Sequence, residues 1–470
     1  MLEGIGTLSQ AAYIRLYSCW NIASFALLFY KELKHSDGLQ PVVFIALVAI
    51  QYVGLNGLVT SIGLDEGEQY YLVSSNVTPY LGKSVWFLSL EHILILSGYF
   101  LIDYKNRYKP LPKMMNIIMG ANIDYEKWAI RLYMGIWALR IIDYVIPLAS
   151  LTSVLAGFAN RGQLVVLTFL SYSLLRKKTS KVVRLYWGII VLEVFLVLNH
   201  GMKEEIIINL VPYAIYLLIG YRGGAFSFSA QLVTKLCLLG VVVVYGIFPY
   251  VAIFRSISKK HHISWSEVEV SEALSQYKDY IFSEGDFENA DTSEISSDYF
   301  LSRAGSISSN AWSIHYAETH KPVYIYFYYC LARSVPRFLW PDKPPNAIGN
   351  MMYEMAGGNS NWEQKALSGS ASSKQSVAIT IGFIGGTYFS LGLWAALLFP
   401  FFAGGFVCWY WRRLKPMVGY NIIAIWAMYA LIMTFLIDFE SFIDGGANFY
   451  IISLMYLFIA RKVFPMKRFA

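Results

Sequence analysis

A chain of 470 residues in which 56% are apolar or aromatic and only 15% are charged is too greasy to fold as a soluble globular domain, so it belongs in a bilayer. Its formal net charge of +7 does not point to nucleic acid, because the basic residues sit in short loops between apolar stretches. Those loops, with Lys105, Arg107, Lys109 and Lys113, then Arg176, Lys177, Lys178, Lys181 and Arg184, then Arg412, Arg413 and Lys415, then Arg461, Lys462, Lys467 and Arg468, are what the positive-inside rule places in the cytoplasm.

Met1 to Gln10 shows no basic run followed by a short apolar core and a small-residue cleavage site, so the first apolar segment is expected to stay as a span. Helices are expected at 12–30, 39–60, 84–102, 126–147, 161–176, 184–200, 204–220, 232–254, 377–408, 418–437 and 446–460. That is about eleven spans of the length a bilayer core of roughly 30 Å requires. Strict alternation is missing, which excludes a membrane β-barrel, so the fold class is an all-α polytopic integral membrane protein. With basic loops inside, the N-terminus falls outside and the C-terminus in the cytoplasm. Asp65, Glu66 and Glu68, and later Asp438, Glu440 and Asp444, then lie in outer connections. Cys19, Cys237, Cys330 and Cys408 are widely scattered, which fits neither a disulfide framework nor a zinc site, and no metal is expected.

The linear organisation is residues 1–254 as the first eight spans, 255–376 as one large outer loop, and 377–470 as the C-terminal spans. A loop of that length is too long for a simple connector. Its first half is acidic: Glu267, Glu269, Glu272, Asp279, Glu284, Asp286, Glu288, Asp291, Glu294 and Asp298 stand against Lys278 alone. The spacing matches no calcium loop, so this stretch reads as a solvated face. Its second half is basic and aromatic. Residues 322–339, PVYIYFYYCLARSVPRFL, suit the membrane interface, where Tyr rings and cations favour the headgroup level.

No Walker A loop, GxGxxG after a strand, HExxH or GxSxG is present, so no cofactor and no nucleotide-activated donor is expected. The tract Arg333-Ser-Val-Pro-Arg337-Phe-Leu-Trp-Pro-Asp-Lys343-Pro-Pro allows two readings. Arg333, Arg337 and Lys343 clamp a phosphorylated headgroup, since guanidinium forks match phosphate oxygens, or they anchor an interfacial helix that proline ends. Upstream, Arg303 opens a run in which His315 and Glu318 are spaced to share a helical face. One of the pair is a candidate general base toward a sugar hydroxyl, and the alternative is a solvated loop. Inside the spans Glu91 and His92, Glu193, and Arg140 with Asp143 are costly groups that default to function. Arg140 and Asp143, three apart, also read as an ion pair that locks helix packing. Arg161 and Lys203, at outer ends of spans, add to a basic outer cavity or serve as interface anchors. The glycines at 382, 385 and 386 read as sites of close helix contact.

Arg303, the aromatic run, PRFLWPDKP at 336–344 and IGFIGGTYFSLGLW at 381–394 together resemble the Wzy-type O-antigen and exopolysaccharide repeat-unit polymerases of bacterial inner membranes. The resemblance covers about 100 residues and implies a GT-C-like membrane glycosyltransferase. It would polymerise repeat units at the periplasmic face without a metal. Its partners would be an undecaprenyl-pyrophosphate-linked glycan donor and acceptor, the bilayer and a chain-length regulator, with no nucleic acid. In these terms Arg303, Arg333, Arg337 and Lys343, with Arg161, Lys203 and Arg140, bind pyrophosphate, and His315 or Glu318 is the base. No paired Arg-x10-Gly loop follows Arg303, Arg333 or Arg337, so the division of labour among them stays open. Two competitors remain: an O-antigen ligase that uses a lipid A core acceptor, and a lipid-linked oligosaccharide flippase or transporter.

Overall fold

The computed structural model describes residues 9–35, 41–66, 76–105, 114–120, 123–146, 162–198, 203–225, 268–282, 307–334 and 382–414, with 227, 234, 238, 249–251, 253, 254, 257, 340 and 355. Among them all regular structure is helical. Three helices, Pro41–Leu64, Tyr80–Lys105 and Leu393–Arg413, are long and apolar enough to cross a membrane, and Gln163–Arg176 is a shorter apolar helix. The expected spans at 418–437 and 446–460, and most of 232–254, lie outside the described residues. The chain forms two compact units, Met1–Lys113 with Leu301–Ala470, and Met114–Phe300. Of the expected outer loop, the described residues 268–282 fall in the second unit and 307–334 in the first.

In the first unit α1 (Gln10–His35) lies against a helix made of α2 (Pro41–Ala49), a π-turn (Ile50–Leu55) and α3 (Asn56–Glu66). Small residues set their separation: a Cβ on Gly57 would fall on the Ser18 hydroxyl and one on Gly54 on Ile22, as expected where helices associate without a hydrophobic driving force. The longest described helix here besides α1 is α4 (Tyr80–Lys105).

The expected single span at 377–408 is corrected by the structure. It is a hairpin of α13 (Phe383–Leu391) and α14 (Leu393–Leu414), with residues 377–381 outside the described set. Gly392 makes the turn with φ of 87°, a left-handed conformation that a side chain would strain. Glu91 meets Ile384 and Phe87 stacks on Tyr388, so α13 runs antiparallel to α4. Ile95 meets Gly404 and Asp103 pairs with Arg412 at 2.6 Å, so α14 returns parallel to it. Continuous apolar composition concealed the break, because one glycine among apolar residues carries no hydropathy signal.

The contact between α4 and α14 is backbone on backbone. A Cβ on Gly404 would lie 1.8 Å from the Ile95 carbonyl oxygen, and one on Gly98 1.8 Å from that of Phe401. Onto this hairpin dock α11 (Ile307–Thr319) and α12 (Tyr324–Ser334). Buried Phe389 is the hub: its ring meets Trp312, Tyr316 and Tyr326 at 5.7, 5.3 and 5.5 Å. The Val323 amide donates to the Phe389 carbonyl at 2.9 Å, which fixes where α12 begins. Tyr324, Ile325, Tyr328 and Leu331 form an exposed apolar face on α12, as an interfacial helix requires.

The second unit contains α5 (Met114–Gly120), α6 (Tyr125–Val145), α7 (Gln163–Arg176), α8 (Ser180–Leu198), α9 (Lys203–Arg222) and α10 (Val270–Phe282). Asp124 caps α6 by accepting the Lys127 amide at 3.1 Å, and Arg176 donates to the Ile123 carbonyl at 2.7 Å, tying α7 antiparallel to α6. The first part of the acidic stretch is the amphipathic helix α10. Ala273 and Val268 pack with Tyr250, Val251 and Phe254, while Glu269 and Asp279 stay exposed.

Two outcomes test this arrangement. Gly404→Leu should force α4 and α14 apart and destabilise the protein by about 3 kcal/mol, at the upper end of overpacking costs, read as a lowered melting temperature in detergent. In a background with all four cysteines replaced, Trp394→Cys should react with a membrane-impermeant maleimide. A single span over 377–408 would leave it refractory.

Candidate functional site

The Tyr80 end of α4 gathers the candidate bases. Tyr80 and Lys83 lie on its first turn and Phe87 one turn further, and α11 and α13 bring His315, Glu318 and Tyr388 beside them. Lys83 forms an ion pair with Glu318 Oε1, and the Tyr388 hydroxyl donates to the same oxygen at 3.4 Å. The Lys83 ammonium also sits 5.8 Å from the centre of the Tyr80 ring, whose edge meets the His315 imidazole at 4.9 Å. His315 and Glu318 therefore share a helical face, as their spacing predicts. They do not serve each other: His315 Nδ1 is buried with no hydrogen-bond partner, and Glu318 turns to Lys83 and Tyr388.

Eleven residues along α4, about 16 Å at ~1.5 Å per residue, lies Glu91, which is 1% exposed. Its Oε2 accepts the Ile384 amide at 2.8 Å and so caps the N-terminus of α13, satisfying one of the amides a helix start leaves unpaired. Asn310 of α11 is packed against Gly382 at that end: a Cβ on Gly382 would fall 2.6 Å from its Nδ2. His92, fully buried, donates from Nδ1 to the Leu88 carbonyl at 2.7 Å while Nε2 has no partner. Among the described residues no group of three or more His, Cys, Asp or Glu could hold a metal ion.

In the second unit Arg140 is met by Glu193 of α8. Nη1 and Nη2 donate to Oε1 and Oε2 at 2.8 and 2.9 Å, and Nη2 also reaches Gln163 at 3.3 Å. Gln163 donates on to Asn209 at 3.2 Å, and the Tyr133 hydroxyl donates to Glu193 at 3.0 Å. The network crosses α6, α7, α8 and α9, and Glu193 is 1% exposed within it. The network ties α6, α7, α8 and α9 together through Arg140 and Glu193, a partner that local spacing does not indicate.

Of the other expected site residues, Arg333 falls in the last turn of α12 and Lys203 opens α9. Arg303, Arg337, Lys343 and Arg161 lie outside the described residues. Trp340 of the proline-rich tract is described, with its ring 6.1 Å from that of Tyr328 on α12. Sequence reasoning missed Tyr80, Lys83 and Tyr388. Lys83 carried one usable signal, a lone cation at the start of an apolar helix and away from the basic loops. The aromatic residues carried none.

No family model, curated protein or solved structure matches this chain.

The network in the second unit predicts a double-mutant cycle. Arg140→Ala or Glu193→Ala alone leaves a buried charge and should cost about 3–5 kcal/mol, whereas the double substitution should cost less than the two added together. Thermal unfolding of all three variants measures the coupling.

Proposed function

We propose that the chain is a multi-span membrane glycosyltransferase, with about eleven spans and a GT-C-like plan, that polymerises oligosaccharide repeat units carried on undecaprenyl pyrophosphate. The observation that carries this reading is the convergence of Glu318, His315, Lys83 and Tyr388 at one end of a helix long enough to span a bilayer. That end is opposite the one where Lys105, Arg412 and Arg413 lie. With basic residues inside, the site faces the periplasm, where the arginine tract is also expected.

The chemistry follows from the residue types. A pyrophosphate-linked donor is already activated, so the protein must orient an acceptor hydroxyl, remove its proton and stabilise the departing pyrophosphate. Both contacts to Glu318 fall on Oε1, which leaves Oε2 to accept the proton. The hydroxyl oxygen bonds to the anomeric carbon, the bond from that carbon to the pyrophosphate oxygen breaks, and the pyrophosphate leaves with the electron pair. Arg303, Arg333, Arg337 and Lys343 are assigned to its charge, with Arg161 and Lys203 as further outer cations. Arg140 is assigned to the packing of the second unit.

A transporter of lipid-linked oligosaccharides is the second reading, favoured by the start of α13 half-way along α4, since broken helices often build transport sites. In such sites the helix N-terminus receives an anionic substrate. Here Glu91 occupies that position, which weighs for the enzyme.

Purified protein in nanodiscs, given only a lipid-linked repeat unit extracted from the source cells, should lengthen it without any lipid A core acceptor. Lengthening excludes both a ligase and a transporter. Glu318→Gln should lower the rate roughly 100-fold, the low end of general-base contributions, and Arg303→Ala, Arg333→Ala and Arg337→Ala should shorten the glycan ladder. Wild-type chain lengths from all four variants would sink the assignment.

A further inference from the structure

We infer that Lys83 is the positioning residue for the Glu318 carboxylate, an inference that rests on the glycosyl-transfer reading above. A lysine in the first turn of a helix faces the positive end of the helix dipole, so α4 itself gains nothing from a cation there. What stabilises Lys83 is tertiary: its ammonium pairs with Glu318 of α11 and lies against the Tyr80 ring. The contact links residues 235 positions apart in the chain.

Its geometry is that of a holder rather than a substrate-touching group. Lys83 and the Tyr388 hydroxyl reach the same carboxylate oxygen from two different helices. A carboxylate fixed at Oε1 by donors from α4 and α13 cannot swing freely about its terminal torsions, and Oε2 then presents a fixed lone pair to an acceptor hydroxyl. Displacement of a catalytic group by about 1 Å costs on the order of 100-fold in rate, so loss of the holder should appear in turnover more than in substrate binding. Side chains here are partly open, at 41% exposure for Lys83 and 27% for Glu318. The pair therefore adds little to stability, and this separates a positioning role from a structural one.

The experiment is steady-state kinetics in nanodiscs with the extracted lipid-linked repeat unit, alongside melting temperatures. Lys83→Gln should lower kcat roughly 10- to 100-fold with KM changed less than about threefold and melting nearly unchanged. Lys83→Arg, which keeps a cation in reach, should restore kcat to within about fivefold, and Tyr388→Phe should give a smaller loss of the same kind. The exchange Lys83→Glu with Glu318→Lys rebuilds an ion pair but should stay inactive. Lys181→Gln, at an exposed pair with Glu126, should behave as wild type. A folded Lys83→Gln protein with wild-type kcat, or an exchange variant that regains activity, overturns the inference while leaving the enzyme reading intact. If Lys83→Gln does not fold, a wild-type kcat in Tyr388→Phe together with an inactive Lys83→Arg overturns it instead. A wild-type protein that extends nothing removes the enzyme reading, and the inference with it.

Discussion

A helix that begins half-way along a membrane-spanning neighbour leaves its first amides without partners in a place where water cannot supply them. In this protein Glu91 answers that constraint at the start of α13, and much of the first unit follows from it. With its N-terminus held at Glu91, α13 runs back toward the Tyr80 end of α4 and delivers Tyr388 and Phe389 there. Gly392 then reverses the chain, and α14 descends along α4 in glycine-to-carbonyl contact. Phe389, fixed by this hairpin, is the surface on which α11 and α12 dock. The candidate site is thus a consequence of a capped half-length helix, and its side chains come from segments far apart in sequence.

What was legible in the sequence is what each segment must satisfy by itself. Apolar runs bounded by basic loops gave the helices to within a few residues: 84–102 is α4 at Tyr80–Lys105, and 126–147 is α6 at Tyr125–Val145. These signals are local, since each span must be apolar in its own right. The hairpin at Gly392 was not legible because hydropathy is blind to direction, and LGLW reads the same whether the chain continues or turns back. The division into units was not legible either. Residues 268–282 read as a solvated face, which Glu269 and Asp279 provide, while Val268, Ala273 and Tyr277 give the same segment an apolar face that packs in the second unit.

Site residues divide along the same line. Glu91, Glu193 and Arg140 were conspicuous because a charge inside an apolar stretch needs a reason. Their partners were not, since the nearest charge in sequence is a poor guide to the nearest in space. The structure gives Arg140 both oxygens of Glu193, 53 residues away, which no local spacing signals. For His315 and Glu318 the helical spacing was correct, while the groups that meet Glu318, Lys83 and Tyr388, arrive from other helices.

Two carboxylates on one side of this chain show how environment assigns a role. Glu91 is closed off at 1% exposure and accepts a backbone amide, so displacing it would release the start of α13. Buried there, it is closed to a substrate hydroxyl. Glu318 sits at the open end of the same helix pair, held on one oxygen by Lys83 and Tyr388 and open on the other. It can take and return a proton while the backbone around it stays fixed by Phe389 and the Val323 amide. Between Glu318 and Glu91, Glu318 is the carboxyl whose chemistry is separable from the fold, and that separability is why the catalytic assignment falls on it and the structural one on Glu91.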